Sequence, residues 1–267
     1  MRVTQGRRGL RYGIRWLIAG MVSLALGGCP APDESGNNAS NAPENGAAFA
    51  SENSTATATG STPLLLVVVV DSTASAVRER EQWKAMFPDL LRNYLPEDTL
   101  IAFVRCDHRP ILTKSILWTG FKREREAIEK AFADLWKPVP CGVDAEGRET
   151  YCGTDVVGAF EVAVAYASKP ENQDIQRKLI IAWSDMQPDP CKARGQVKQF
   201  RDPFQHRWNR AQTRGIELVI HGAPLEKHST LRERWADAFK VLRCYSPGEV
   251  IDIRKQYGLE PVGGAGF

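Results

Sequence analysis

Zinc-type cysteine spacing is missing from this chain. Its 267 residues include six cysteines, but no two stand in the C-x-x-C arrangement of a zinc ribbon. Histidine is scarce as well. His108, His206, His221 and His228 show no metal-ligand spacing, so a nitrogen- or sulfur-ligated transition metal is not indicated. His221 closes an apolar stretch and is read as solvated. No internal repeat is present. A basic excess is only apparent: 35 Lys and Arg face 32 Asp and Glu, a net charge of +3. Five of those arginines (Arg2, Arg7, Arg8, Arg11, Arg15) lie in the first 28 residues, which hold no acid. The remainder carries 30 basic against 32 acidic side chains, a net −2, so charge does not argue for nucleic acid. The mixed run Lys122-Arg123-Glu124-Arg125-Glu126 reads as a solvated helix face.

An apolar run long enough for a comfortable bilayer span of about 20 residues is also lacking. What residues 1–28 do contain is a basic start, the short apolar stretch IRWLIAGMVSLAL and small residues at the end, the order of an export signal. Leu26-Gly27-Gly28-Cys29 resembles the lipobox of bacterial lipoproteins. That resemblance implies that Cys29 is lipidated and becomes the first residue of the mature chain. The other reading is a plain secretory signal with an incidental cysteine. Acyl chains on Cys29 would anchor the protein in a bacterial cell envelope, each buried methylene adding about 0.8 kcal/mol. Pro30 stands where a retention aspartate often sits in enteric bacteria, which favours the outer membrane.

Residues 29–62 are dominated by Asn, Ala, Ser, Thr and Gly, with Phe49 the only large apolar side chain. Such a segment cannot bury enough surface to offset its ordering entropy. It is expected to be a flexible tether holding the following domain roughly 30 Å from the lipid. Residues 63–267 then suffice for one domain with a sizeable core.

Within that domain, strands and helices alternate. LLLVVVV (64–70), TLIAFVRC (99–106), KLIIAWS (178–184) and GIELVIHG (215–222) read as buried strands. RPILTKSILW (109–118) reads as a strand antiparallel to the one before it, because the connection is tight. Helices are expected over 76–94, with Met86, Leu90, Leu91 and Tyr94 on one face and a kink at Pro88, and over 122–136 and 154–167. Two more are expected, one around 197–213 that is interrupted near Pro203 and one lined by Leu231, Trp235, Phe239 and Leu242. EVIDI (249–253) reads as a short edge strand. Continuous aliphatic strands separated by helices predict an α/β fold with a mostly parallel sheet covered on both faces. Ligands of such sheets bind beyond the carboxyl ends of the strands.

Three segments fall at that edge. Asp71-Ser72-Thr73-Ala74-Ser75 leaves the first strand, with Asp71, Thr73 and Ser75 at alternate positions. Cys152-Gly153-Thr154-Asp155 opens an apolar helix, and Ser184-Asp185-Met186 leaves a later strand. Each has a plainer explanation: Thr73, Ser75 or Thr154 as helix N-caps, Asp185 as a turn residue. Together they resemble the metal-ion-dependent adhesion site (MIDAS) of von Willebrand factor A domains. That site has an Asp-x-Ser-x-Ser loop after strand one, a threonine opening a later helix and an aspartate after the central strand. The resemblance covers about residues 63–253 and implies a Rossmann-like fold, mostly parallel with one antiparallel edge strand. It implies metal ligation by Asp71, Thr73, Ser75, Thr154 and Asp185, the last through water. Thr73 departs from the family's serine, and its methyl crowds the site.

Two carboxylates and three hydroxyls suit a hard divalent cation, magnesium before manganese or calcium. In the family, an open coordination position accepts a carboxylate from a protein partner. The same resemblance places Cys106, Cys141, Cys152 and Cys191 in loops at the site's end of the sheet and Cys244 at the opposite end. It implies disulfides Cys141–Cys152 and Cys106–Cys191, with Cys244 free. Closing the 141–152 loop would contribute about 3 kcal/mol. The expected function is therefore that of a lipid-anchored binding module, not an enzyme. A magnesium-dependent phosphoryl-transfer enzyme is the alternative, but its second aspartate would stand where Thr73 does. A structural domain without bound metal is a third reading.

Overall fold

The computed structural model describes residues 63–72, 77–106, 112–137, 140–143, 147, 149–151, 153–188, 191–193 and 196–262. At 77–79, 112–113, 140–143, 149–151, 191–193 and 196–198 only the backbone is described. The expected signal peptide, Cys29 and tether lie outside these residues, as do Thr73, Ser75 and the side chains of Cys141, Cys152 and Cys191.

The first strand organises the rest. In β1 (Leu64–Asp71) every residue is buried. Leu65, Val67 and Val69 point into one core; Leu64, Leu66, Val68 and Val70 point into the other. A strand alternates its side chains between two faces, so one with both faces covered must be aliphatic throughout. β2 (Leu100–Cys106) and β6 (Arg177–Trp183) flank β1 in parallel. β9 (Ile216–His221) and β10 (Val241–Tyr245) continue the parallel sheet, and β3 (Ile116–Phe121) closes the other edge antiparallel to β2. The order is β10-β9-β6-β1-β2-β3. The chain thus begins in the middle of the sheet and winds first to one side, then to the other. This is the Rossmann-like order with an antiparallel edge strand, the expected fold class.

Helices α1 (Val77–Asp89), α3 (Arg125–Leu135) and α7 (Ile253–Tyr257) cover one face through Trp83, Phe87, Ile128, Leu135 and Tyr257. Helices α4 (Val156–Ala167) and α6 (His228–Trp235) cover the other through Val156, Phe160, Ala163, Leu231 and Trp235. Short helices α2 (Leu112–Ser115) and α5 (Arg210–Thr213) precede β3 and β9. Two small antiparallel hairpins stand apart from the main sheet: β4 (Pro140–Val143) with β5 (Glu149–Tyr151), and β7 (Cys191–Ala193) with β8 (Gln196–Lys198). Among the described residues no helix is long and apolar enough to cross a membrane.

Several elements depart from the sequence reading. The first helix turns Trp83, Phe87 and Leu90 to the core, while Met86 and Tyr94 are only partly buried. Beyond Pro88 it continues as one π-helical turn, Leu90–Tyr94. A proline has no N–H to complete the regular bond, and a wider turn accommodates the break. β3 starts at Ile116, later than expected, after helix α2. Of the helix expected at 197–213 only Arg210–Thr213 is helical. Upstream, Asp202 Oδ1 accepts from the Phe204 N–H at 2.9 Å, a local turn around Pro203 that competes with helix. The helix from Leu231 ends at Trp235, and Leu242 lies in β10. The chain must return to the sheet there to cover the edge of β9. EVIDI is not a strand; Asp252 Oδ1 instead caps α7 by accepting from Lys255 N–H at 3.1 Å. Cys244 consequently sits near the carboxyl end of a parallel strand, not at the opposite end. It is a buried free thiol, which burial pushes up to about 11.

Candidate metal centre

The central pair β1 and β6 defines the topological switch point, because the connections leaving them run to opposite sides of the sheet. Val70 is level with Trp183. The next residues, Asp71 and Ser184, therefore leave the sheet side by side at its carboxyl edge. Asp71 is 0% exposed and Ser184 is 0% exposed. Ser184 Oγ donates to Asp71 Oδ2 at 3.0 Å. From the opening of α4, Thr154 Oγ1 donates to Asp71 Oδ1 at a longer 3.5 Å.

The plain role open to Thr154, capping α4, belongs to its neighbour. Asp155 is the N-cap and accepts from Gly158 N–H at 2.9 Å. The Thr154 hydroxyl is thereby left to face Asp71. Asp185 follows Ser184 in the neighbouring exit turn and is nearly buried; its Oδ1 accepts from Gln187 N–H at 2.9 Å. Met186 is buried and has φ = +61°, the left-handed region, where a non-glycine residue is strained by about 1–2 kcal/mol.

Beneath these residues lies a row of rings. Trp183, His221 and Tyr245 are level with Val70 on adjacent strands. Trp183 stacks on His221 at 4.6 Å and 13°, His221 on Tyr245 at 5.1 Å and 18°. Trp83 packs on Trp183 from α1 at 4.3 Å. His221 is buried, not solvated as its polarity suggested, and shares a 3.0 Å hydrogen bond between Nε2 and the Tyr257 hydroxyl. Burial pushes its imidazole down to about 3, so it is neutral. The His221 carbonyl accepts from Ser184 N–H at 3.0 Å, tying this layer to the site above.

Of the five residues expected to ligate metal, Asp71 and Thr154 are in contact and Asp185 lies on the adjoining turn. Thr73 and Ser75 lie outside the described residues. Ser184 was not expected as a site residue: the sequence shows only a hydroxyl residue ending a buried strand beside Asp185, and the register of β1 against β6 is what brings it next to Asp71. Among the described residues no three His, Cys, Asp or Glu side chains cluster to hold a metal. A cation here would need hydroxyl oxygens beside its carboxylates. A fully buried carboxylate facing the Thr154 and Ser184 hydroxyls fits that oxygen-only requirement.

No protein-family model matches this chain, and no curated protein matches it. Among solved structures it is similar to the VWA domain of SpRpn10, with 11% identity and a TM-score of 0.38 over 70% of this chain and 89% of that one. The fold assignment rests on the strand order, not on this likeness.

Proposed function

We propose that this protein is a binding module of the cell envelope that recognises an acidic group on a protein partner through a divalent cation. The observation that carries this reading is the buried Asp71 carboxylate, bracketed by the Thr154 and Ser184 hydroxyls at the sheet's switch point with Asp185 on the adjoining turn. Asp71 and Thr154, with Thr73, Ser75 and Asp185, would hold the ion. When bound, a small hard cation such as magnesium supplies an electrophilic position for a partner's carboxylate. The chain's own part is to present oxygens, to exclude water from Asp71 by burial, and to keep the hydroxyls oriented. Phosphoryl transfer through Asp71 would call for a second aspartate where Thr73 stands, so a binding role is preferred to catalysis.

Calorimetric titration with magnesium and manganese tests the site: binding is expected for the native chain and none for Asp71→Ala. Equal heats from both proteins would end the proposal. A phosphatase screen in magnesium is expected to show no turnover above the Asp71→Ala background. Anchoring through Cys29 predicts incorporation of labelled fatty acid that Cys29→Ser abolishes.

A further inference from the structure

We infer that Ser184 is a positioning residue of this centre, fixing the orientation of the Asp71 carboxylate through a hydrogen bond to Oδ2. The inference rests on the metal-binding reading above and adds a residue to it.

A hydroxyl has one hydrogen to give and two lone pairs to offer. At Ser184 these are assigned by its neighbours. Met186 N–H donates into Oγ at 2.9 Å, which turns the hydroxyl hydrogen toward Asp71 Oδ2 at 3.0 Å. The Ser184 main chain is itself fixed, its N–H donating to the His221 carbonyl at 3.0 Å. Ser184 and Asp71 are both fully buried, so water is poorly placed to substitute for either bond. Oδ2 is thus committed within the fold. Oδ1 faces Thr154 across 3.5 Å, at the limit of a hydrogen bond. Hydrogen bonds to a ligand from outside the coordination shell orient it before the ion arrives, and their loss typically weakens metal affinity about 10–100-fold.

The test is manganese titration of the full chain, read by electron paramagnetic resonance, for the native protein, Ser184→Ala and Ser184→Thr, with the stability of each measured separately in EDTA. Ser184→Ala is expected to weaken manganese binding by about tenfold or more. Ser184→Thr, which keeps the hydroxyl, is expected to restore most of that affinity. A Ser184→Ala protein that loses stability in EDTA but binds manganese like the native chain overturns the inference. A threonine variant as weak as alanine overturns the assignment to the hydroxyl. Should the alanine variant fail to fold, Ser184→Cys keeps the volume with a weaker donor; native-like affinity in it would likewise overturn the inference. If the native chain takes up no manganese, the proposed function falls as well; if it binds and Ser184→Ala binds equally, only the role of Ser184 falls.

Discussion

The two ends of the sheet each bury a carboxylate, and they treat it differently. At the amino end Glu217, 6% exposed, is matched by two cations of the chain itself: Arg177 Nη2 at 3.0 Å and Lys240 Nζ at 3.2 Å. Burial alone pushes its carboxyl up, but the hydrogen bonds and charges of Arg177 and Lys240 outweigh that and hold it below the ordinary value. Arg177 also donates to the Gly258 carbonyl at 2.8 Å, closing the end of α7. At the carboxyl end, Asp71 is more deeply buried, and its hydrogen bonds from Thr154 and Ser184 come from neutral hydroxyls. The Glu217 carboxylate is matched by cations that tie the end of the fold together, whereas the Asp71 carboxylate is oriented by hydroxyls at the edge where the proposed metal centre lies.

The largest expected effect lies at the amino end. Arg177→Ala removes the better-placed cation from a buried carboxylate and should lower stability by about 3 kcal/mol in urea denaturation. A loss under 1 kcal/mol would mean that Lys240 alone suffices. The carboxyl end should instead show a ligand-dependent stability. Magnesium at about a hundred times its dissociation constant should stabilise the native chain by about 2.7 kcal/mol and Asp71→Ala not at all. Calorimetric melting in magnesium and in EDTA checks this. The same end should be sensitive to acid. His221 is held near 3 in the fold against 6.5 when unfolded. The unfolded chain therefore binds the extra proton between those values, and stability is lost as pH falls below 6.5. The slope approaches about 1.4 kcal/mol per pH unit. His221→Phe should flatten that limb of a stability–pH curve; an unchanged slope would assign it to other groups. Asp155→Ala should cost about 1 kcal/mol through the lost cap of α4. Its hydroxyl neighbour Thr154 would then be free to turn toward the helix, and a fall in metal affinity beyond the stability change would show it. Smallest of all, Asp237→Ala breaks only an exposed pair with Arg210 and should shift stability by less than about 0.5 kcal/mol at either end.

The central strands were legible in the sequence because each is aliphatic along its whole length. The runs at 64, 99, 178 and 215 fall within a residue of β1, β2, β6 and β9. The edge strands were harder. In β10 only Cys244 is fully buried and in β3 no residue is, so neither shows a clean alternation or a continuous buried run. Half-buried edges carry mixed side chains, so periodicity cannot separate them from a short helix. At the site, Asp71, Thr154 and Asp185 could be picked out by type and position. Ser184 could not be weighed against its neighbour Asp185 without the register of β1 against β6. His221 was misread because the ring that neutralises its polarity, Tyr257, arrives from an element 36 residues downstream.

By itself, the sequence determined that a few strands must be covered on both faces, since no aqueous surface tolerates runs such as LLLVVVV, and hence that polar groups leaving them gather at one edge. Tertiary structure alone decided which groups meet. Thr154 and Ser184 reach Asp71 across 83 and 113 residues of chain. Local periodicity sets which face a side chain takes, but only strand register and the path of the connections set what lies opposite it.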